Sequence, residues 1–181
     1  MSSGGLLSWT PTENQGPSTN AVTLYVVDNG SPNLTNTASF SIVVSEVNTA
    51  PVLTSIGNQS VDEGSALTFQ ISATDADLPA QTLTYSMDAG APSGATFDAG
   101  TRTFTWTPTE TQGPGTNTVT FRVADGGSPA QSDSEAIQII VNEVNTAPVL
   151  AAIDDQTTTA GTLLTFTVSA TDPDLPANTL Q

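Results

Sequence analysis

Apolar residues along this chain recur at every second position in short runs and never at helical spacing. Leu67, Phe69 and Ile71 alternate with polar neighbours, as do Leu83 and Tyr85, Phe104 and Trp106, the trio Val119, Phe121 and Val123, and the trio Ile137, Ile139 and Val141. A period of two sends every apolar side chain of a strand to the same side, so each run predicts a strand buried on one face. Between the runs lie turn-forming clusters at Asp75 to Ala80, Gly90 to Gly94, Asp98-Ala99-Gly100 and Asp125-Gly126-Gly127-Ser128-Pro129. About seven strands result over such a stretch, which two sheets packed face to face in a Greek key accommodate. A closed barrel is the competing architecture, but proline-marked joints suit separate sandwiches joined in series.

The pattern repeats. Trp9-Thr10-Pro11-Thr12-Glu13 returns as Trp106-Thr107-Pro108-Thr109-Glu110, and Glu46-Val47-Asn48-Thr49-Ala50-Pro51 as Glu143-Val144-Asn145-Thr146-Ala147-Pro148, each pair 97 positions apart. Asp75-Ala76-Asp77-Leu78-Pro79 and Asp172-Pro173-Asp174-Leu175-Pro176 keep the same offset, so the expected organisation is a tandem array of one module without insertion or deletion. Residues 50–146 form one complete module, residues 1–49 the back half of a preceding one, and residues 147–181 the front half of the next. Residues 1–5 depart from the repeat and read as an appended segment or a new start. Half a sandwich leaves sheet edges and core side chains uncovered, so the two terminal halves are expected to fray or to complement one another.

Composition narrows the chemistry. The chain of 181 residues carries 18 acidic side chains against two arginines, with no lysine, histidine or cysteine, a formal charge of -16. Arg102 and Arg122 cannot neutralise a row of phosphates or anionic head groups, so nucleic acid and acidic membranes are excluded as partners. Thiol and Schiff-base nucleophiles are absent, as are the commonest general base and the soft metal ligands. Carboxylates, amides, hydroxyls and backbone carbonyls remain, which is the ligand set of a hard divalent cation. No run approaches the eighteen or so apolar residues of a membrane span. Much of the acidic excess also reads as a solvated, self-repelling surface.

Five motifs together resemble the bacterial cadherin-like and putative-Ig repeats of surface adhesins and large secreted proteins: Val61-Asp62-Glu63-Gly64, Asp75-Ala76-Asp77, Thr107-Pro108-Thr109-Glu110, Ala124-Asp125-Gly126-Gly127-Ser128-Pro129, and Val144-Asn145-Thr146-Ala147-Pro148. The resemblance covers the whole chain. It implies an all-β fold, an Ig-like or cadherin-like Greek-key β-sandwich repeated with a 97-residue period, at the cell surface or outside the cell. It also implies Ca2+ at the joints between modules. The first joint would draw on Glu13, Glu46, Asn48, Asp75, Asp77 and Asp125, and the second on Glu63, Glu110, Glu143, Asn145, Asp172 and Asp174. Calcium takes six to eight oxygens, and a bent Asp-x-Asp loop aims two carboxylates at one point. Departures from the family pattern remove charged ligands: Thr49 and Thr146 stand where a linker aspartate is usual, Pro108 replaces an acid, and Ala160 is the counterpart of Glu63. Weak binding of one or two ions per joint follows, with the second joint the poorer. The same acids also serve as turn formers, since Asp and Asn close Asx-turns.

The expected function is therefore non-catalytic: a calcium-stiffened stalk segment whose partners are neighbouring repeats. The alternative is a fibre subunit in which terminal halves of different copies join head to tail by strand addition. A glycan-binding module is the third reading, because Trp9 or Trp106 could stack on a sugar, although their period with Phe104 places them in the core. Glu13 and Glu110 could each supply half of a glycosidase carboxylate pair, but a small sandwich offers no deep cleft for it. Asn29-Gly30 reads as a turn, and Asn33-Leu34-Thr35 and Asn58-Gln59-Ser60 fit the glycosylation sequon.

Overall fold

The alternating runs form strands throughout. The computed structural model describes residues 5–181, so the expectation about residues 1–5 falls almost wholly outside the described residues. In chain order the strands are β1 (Ser18–Val27), β2 (Thr35–Val44), β3 (Val52–Leu53), β4 (Gln59–Asp62), β5 (Leu67–Gln70), β6 (Ala73–Thr74), β7 (Thr84–Met87), β8 (Thr96–Asp98), β9 (Thr103–Trp106), β10 (Gly115–Ala124), β11 (Ser132–Asn142), β12 (Val149–Leu150) and β13 (Ala170–Thr171). The helical pieces among the described residues are two 3-10 turns, Glu13–Gln15 and Glu110–Gln112. Between residues 50 and 146 there are nine strand segments, but β3 with β4, and β5 with β6, are single runs that change partners midway. Counted that way they are the seven strands the sequence predicts.

Two compact units emerge from the folded chain. One comprises Ser55–Ser72, Tyr85–Arg122 and Ser134–Gln181. Its strands belong to a three-stranded sheet, β5-β9-β8, and a four-stranded sheet, β4-β11-β10-β7. Antiparallel pairing sets Leu67 opposite Trp106, and both Phe69 and Phe97 opposite Phe104. Phe121 of β10 closes the sandwich from the other sheet, with ring centroids 5.7 Å from Phe69, 5.6 Å from Phe97 and 5.6 Å from Phe104, all edge-on. Edge-to-face contact places a positive ring edge on a negative face and adds to the burial of apolar area. Trp106 is fully buried and donates its indole N–H to the Ser93 carbonyl at 3.1 Å, so it is a core residue and no sugar platform.

Where the leading run crosses between sheets it lacks a strand partner, and a carboxylate takes over. Glu135 of β11 accepts the backbone N–H groups of Ile56 (2.8 Å) and Gly57 (3.0 Å). Beyond this crossing β4 pairs with β11 in parallel, Gln59 opposite Ile139 and Val61 opposite Val141.

The other unit runs through Thr54 and adds Ala73–Thr84 and Val123–Asp133. It holds the β1-β2 hairpin, in register from Ser18 opposite Val44 to Val27 opposite Thr35, and the short β3-β6 pair. The hairpin leaves apolar side chains uncovered. Val26 and Phe40 are 68% and 43% exposed, whereas their repeat counterparts Val123 and Ile137 are buried. Trp9 corrects the sequence reading. It is 41% exposed instead of buried, whereas its counterpart Trp106 is held in the core by the Ser93 carbonyl.

Replacing Phe121, fully buried at the meeting of three rings, by alanine is expected to cost about 3–5 kcal/mol of unfolding free energy. Urea denaturation followed by tryptophan emission measures it, and a loss below about 1 kcal/mol contradicts this account of the core.

Candidate metal centres at the repeat joints

Two groups of acids converge, and each lies within one unit. In the first, carboxylate oxygens of Glu13, Glu46 and Asp77 lie within 4.8 Å of one another; in the second, those of Glu63, Glu110 and Glu143 do. Local structure delivers them in the same way at both places. A 3-10 turn, closed where Gln15 or Gln112 accepts the N–H of Thr12 or Thr109 through its side chain (2.9 Å each), presents Glu13 or Glu110. Glu46 follows β2, and Glu143 directly follows β11. In the Asp-x-Asp loops, Asp75 and Asp172 each accept the N–H of the second aspartate at 3.0 Å, bending the loop. Glu13 and Glu110 accept the next N–H of that loop, from Leu78 at 3.2 Å and Leu175 at 2.7 Å. Glu63, just past β4, accepts the linker N–H of Val144 at 3.0 Å.

Electrostatics at these places is unfavourable for anions. Burial pushes the Glu46 carboxyl above its ordinary range, and the charges of Asp77, Glu13, Asp125 and Asp75 push it further. Glu143 is raised for the same reasons, by burial first and then by Glu63, Glu110 and Asp174. No arginine compensates. Arg122 pairs with Asp88 at 3.1 Å, and Arg102 lies 5.7 Å from the centre of the Tyr85 ring.

Among the described residues, six buried side-chain polar atoms have no hydrogen-bond partner: Glu46 Oε1, Asp75 Oδ2, Gln81 Oε1, Glu63 Oε2, and both Oε atoms of Glu143. All six are oxygens: four belong to the two clusters, and the other two are on Asp75 and Gln81 of the Asp-x-Asp loop region beside the first. Buried acceptors without donors are rare and costly in folded proteins, and acceptor-only groups in such numbers match the donor set of a hard cation. Three of the six atoms belong to the second cluster.

Several residues expected as ligands are occupied otherwise. Asp125 Oδ1 accepts the N–H groups of Gly127 (3.0 Å) and Gln131 (2.9 Å), while its Oδ2 accepts the Asn48 amide at 3.0 Å. Burial opposes ionisation of Asp125, but these donors prevail and hold its carboxyl below the ordinary range. Its repeat counterpart Asp28 closes the same turn on Gly30 and Leu34, so the motif is a turn former wherever it occurs. Asn48 and Asn145 each accept an amide N–H through Oδ1, from Gln81 at 2.5 Å and Asn178 at 2.7 Å. Sequence reasoning missed Gln81 and Asn178, although both stand four residues after the second aspartate of the loop and 97 positions apart.

Residues 50–142 match the family described as "Putative Ig domain". Among solved structures the chain is similar to the protocadherin gamma B4 extracellular domain, at 26% identity and a TM-score of 0.57 over 89% of this chain and 30% of that one. It is also similar in fold to protocadherin gamma B3 EC1-4 (20% identity, TM-score 0.62, 92% and 43% covered) and to mouse protocadherin gamma C3 EC1-3 (18%, 0.52, 75% and 46%). The chain thus spans less than half the length of each. A search of the curated proteins finds no match. From its sheet order, its family match and these neighbours, the chain belongs to the Putative Ig domain family and has the all-β, cadherin-like form of the Ig sandwich.

Proposed function

We propose that the chain is a non-catalytic segment of an extracellular stalk, built from repeats that divide at 1–49, 50–146 and 147–181, with calcium stiffening the joints. The observation that carries this reading is that the unpartnered buried oxygens among the described residues lie on the two acid clusters and on Asp75 and Gln81 beside the first. Glu13, Glu46, Asp75 and Asp77 would hold an ion at the first joint, and Glu63, Glu110, Glu143, Asp172 and Asp174 at the second. The ion would supply positive charge where three separated chain segments each bring a carboxylate, so that order at the joint becomes linked to binding. Asn48, Asn145 and Asp125 would support the linker and do not serve as ligands. No helix among the described residues is long and apolar enough to cross a membrane.

Exposed apolar side chains on both terminal halves favour a second reading. Val26 and Phe40 at one end, and Phe166 and Val168 at the other, correspond to buried or half-buried positions of the complete module. Copies joining head to tail would cover them. The glycan reading is left with Trp9, which is 41% exposed, since Trp106 is buried.

Calorimetric titration with calcium is expected to show binding with a Kd of about 0.1–1 mM, the range of extracellular modules, and small-angle scattering to show a stiffer particle than in chelator. Absence of heat and of any shape change contradicts the stalk reading. Growth of large linear assemblies in both conditions supports the head-to-tail alternative.

Protonation provides a second test. A carboxyl whose pKa is raised on folding holds its proton more tightly in the native state, so it favours folding below the ordinary glutamate range and loses that contribution as pH rises through the raised value. Glu46 and Glu143 are of this kind. Asp28, Asp98 and Asp174, held low by hydrogen bonds, stabilise above the ordinary aspartate range and lose it as pH falls below. In chelator, Tm is therefore expected to fall as pH rises above the ordinary glutamate range, and saturating calcium to flatten that slope. Glu143→Gln is expected to raise Tm in chelator at pH 7 and to weaken calcium binding at the second joint on the order of tenfold. Scanning calorimetry and titration of that variant check both.

A further inference from the structure

We infer that each linker is fastened by a lock of uncharged donors that holds without a cation. At the first joint, Thr49 gives Asp77 both its backbone N–H, at 3.0 and 3.2 Å to the two carboxylate oxygens, and its hydroxyl, at 2.5 Å. Gln81 adds an amide N–H at 3.0 Å, and the same amide nitrogen reaches Asn48 Oδ1. Asn48 is in turn tied to the Asp125 turn: its amide donates to Asp125 Oδ2 and to the Pro129 carbonyl, each at 3.0 Å, and its own carbonyl accepts from Gln131 at 2.5 Å. Two consecutive linker residues are thereby bound to two different loops.

The second joint repeats the device with different atoms. Thr146 gives Asp174 its N–H, at 3.0 and 3.1 Å, and its hydroxyl. Asn178, a shorter amide than Gln81, still spans Asp174 Oδ2 at 2.8 Å and Asn145 Oδ1 at 2.7 Å. The same four-residue circuit, threonine to aspartate to amide to asparagine, thus forms with either glutamine or asparagine as the bridge.

Asp77 and Asp174 belong both to this circuit and to the proposed ion ligands, but their oxygens are supplied with donors and those of the glutamates are not. Asp77 and Asp174 are almost completely buried, yet both oxygens of each receive donors. A buried carboxylate supplied with that many donors stays ionised and ordered without a counter-ion. Glu46 Oε1 and both Glu143 oxygens receive none. Each joint accordingly has two layers. Calcium acts on the glutamates, while residues 48–49 and 145–146 stay fixed to the Asp-x-Asp loops when the ion is removed. The lock does not rest on the calcium reading.

Amide hydrogen exchange followed by NMR on the full chain in chelator tests it. The Thr49 and Thr146 amides are expected to exchange at least about tenfold more slowly than in the unfolded chain, and to change little on adding calcium. Exchange at the unfolded rate in chelator overturns the lock. Thr49→Asp sets a carboxylate against Asp77 and is expected to speed exchange at residue 49 by about tenfold or more in chelator, while protection of Phe121 reports that the module remains folded. Undiminished protection at residue 49 in that variant also overturns it. Calcium titration of the same sample separates the two ideas: protected linker amides without calcium heat sink the ion and keep the lock, and the reverse result sinks the lock and keeps the ion.

Discussion

The two acid clusters share one constraint: carboxylates are gathered together in a chain with almost no cations to answer them. Three solutions are visible. Turn aspartates such as Asp28, Asp98 and Asp125 take backbone N–H groups from the loop they close. Asp77 and Asp174 take the threonine and amide donors of the linker and its neighbour. Glu46, Glu63 and Glu143 keep bare oxygens. A protein rich in arginine would have filled these positions with ion pairs; here the third class is left for something from solution.

The division between donor-supplied and bare acids bears on how a joint would respond to its surroundings. Hydrogen bonds to an ionised group are short-ranged and stay within the fold, whereas a cloud of uncompensated charge is screened by salt and discharged by protons. One joint therefore contains a part that is insensitive to ionic conditions and a part that is governed by them. Both parts recur 97 residues later with the same residue types in nearly every role, and the change from Gln81 to Asn178 leaves the bonds intact.

Strand positions and the core were legible in the sequence because both depend on local alternation. Phe104, Trp106, Phe121 and Ile139 lie where a period of two puts them. Glu13, Glu46 and Asp77, and likewise Glu63, Glu110 and Glu143, were legible through motif and repeat, though their convergence is a tertiary fact. The roles of Thr49 and Thr146 were not. Compared with the family pattern each is only a missing charge, and nothing in a linear sequence shows that a hydroxyl and an amide N–H will face an aspartate 28 residues away. Gln81 and Asn178 escaped because amides carry no charge and fit no ligand motif. Trp9 misled because burial depends on tertiary neighbours, which alternation along the chain does not reveal.

The parallel pairing of β4 with β11 joins the beginning of the complete module to its end. Tension applied through the two linkers would draw these neighbouring strands in opposite directions along their common axis. The ladder between them would then be loaded in shear, with its hydrogen bonds strained together, and not peeled apart one at a time as in a hairpin pulled from its open end. Resistance to extension would thus reside in a four-residue ladder backed by the buried side chains of Val61, Ile139 and Val141.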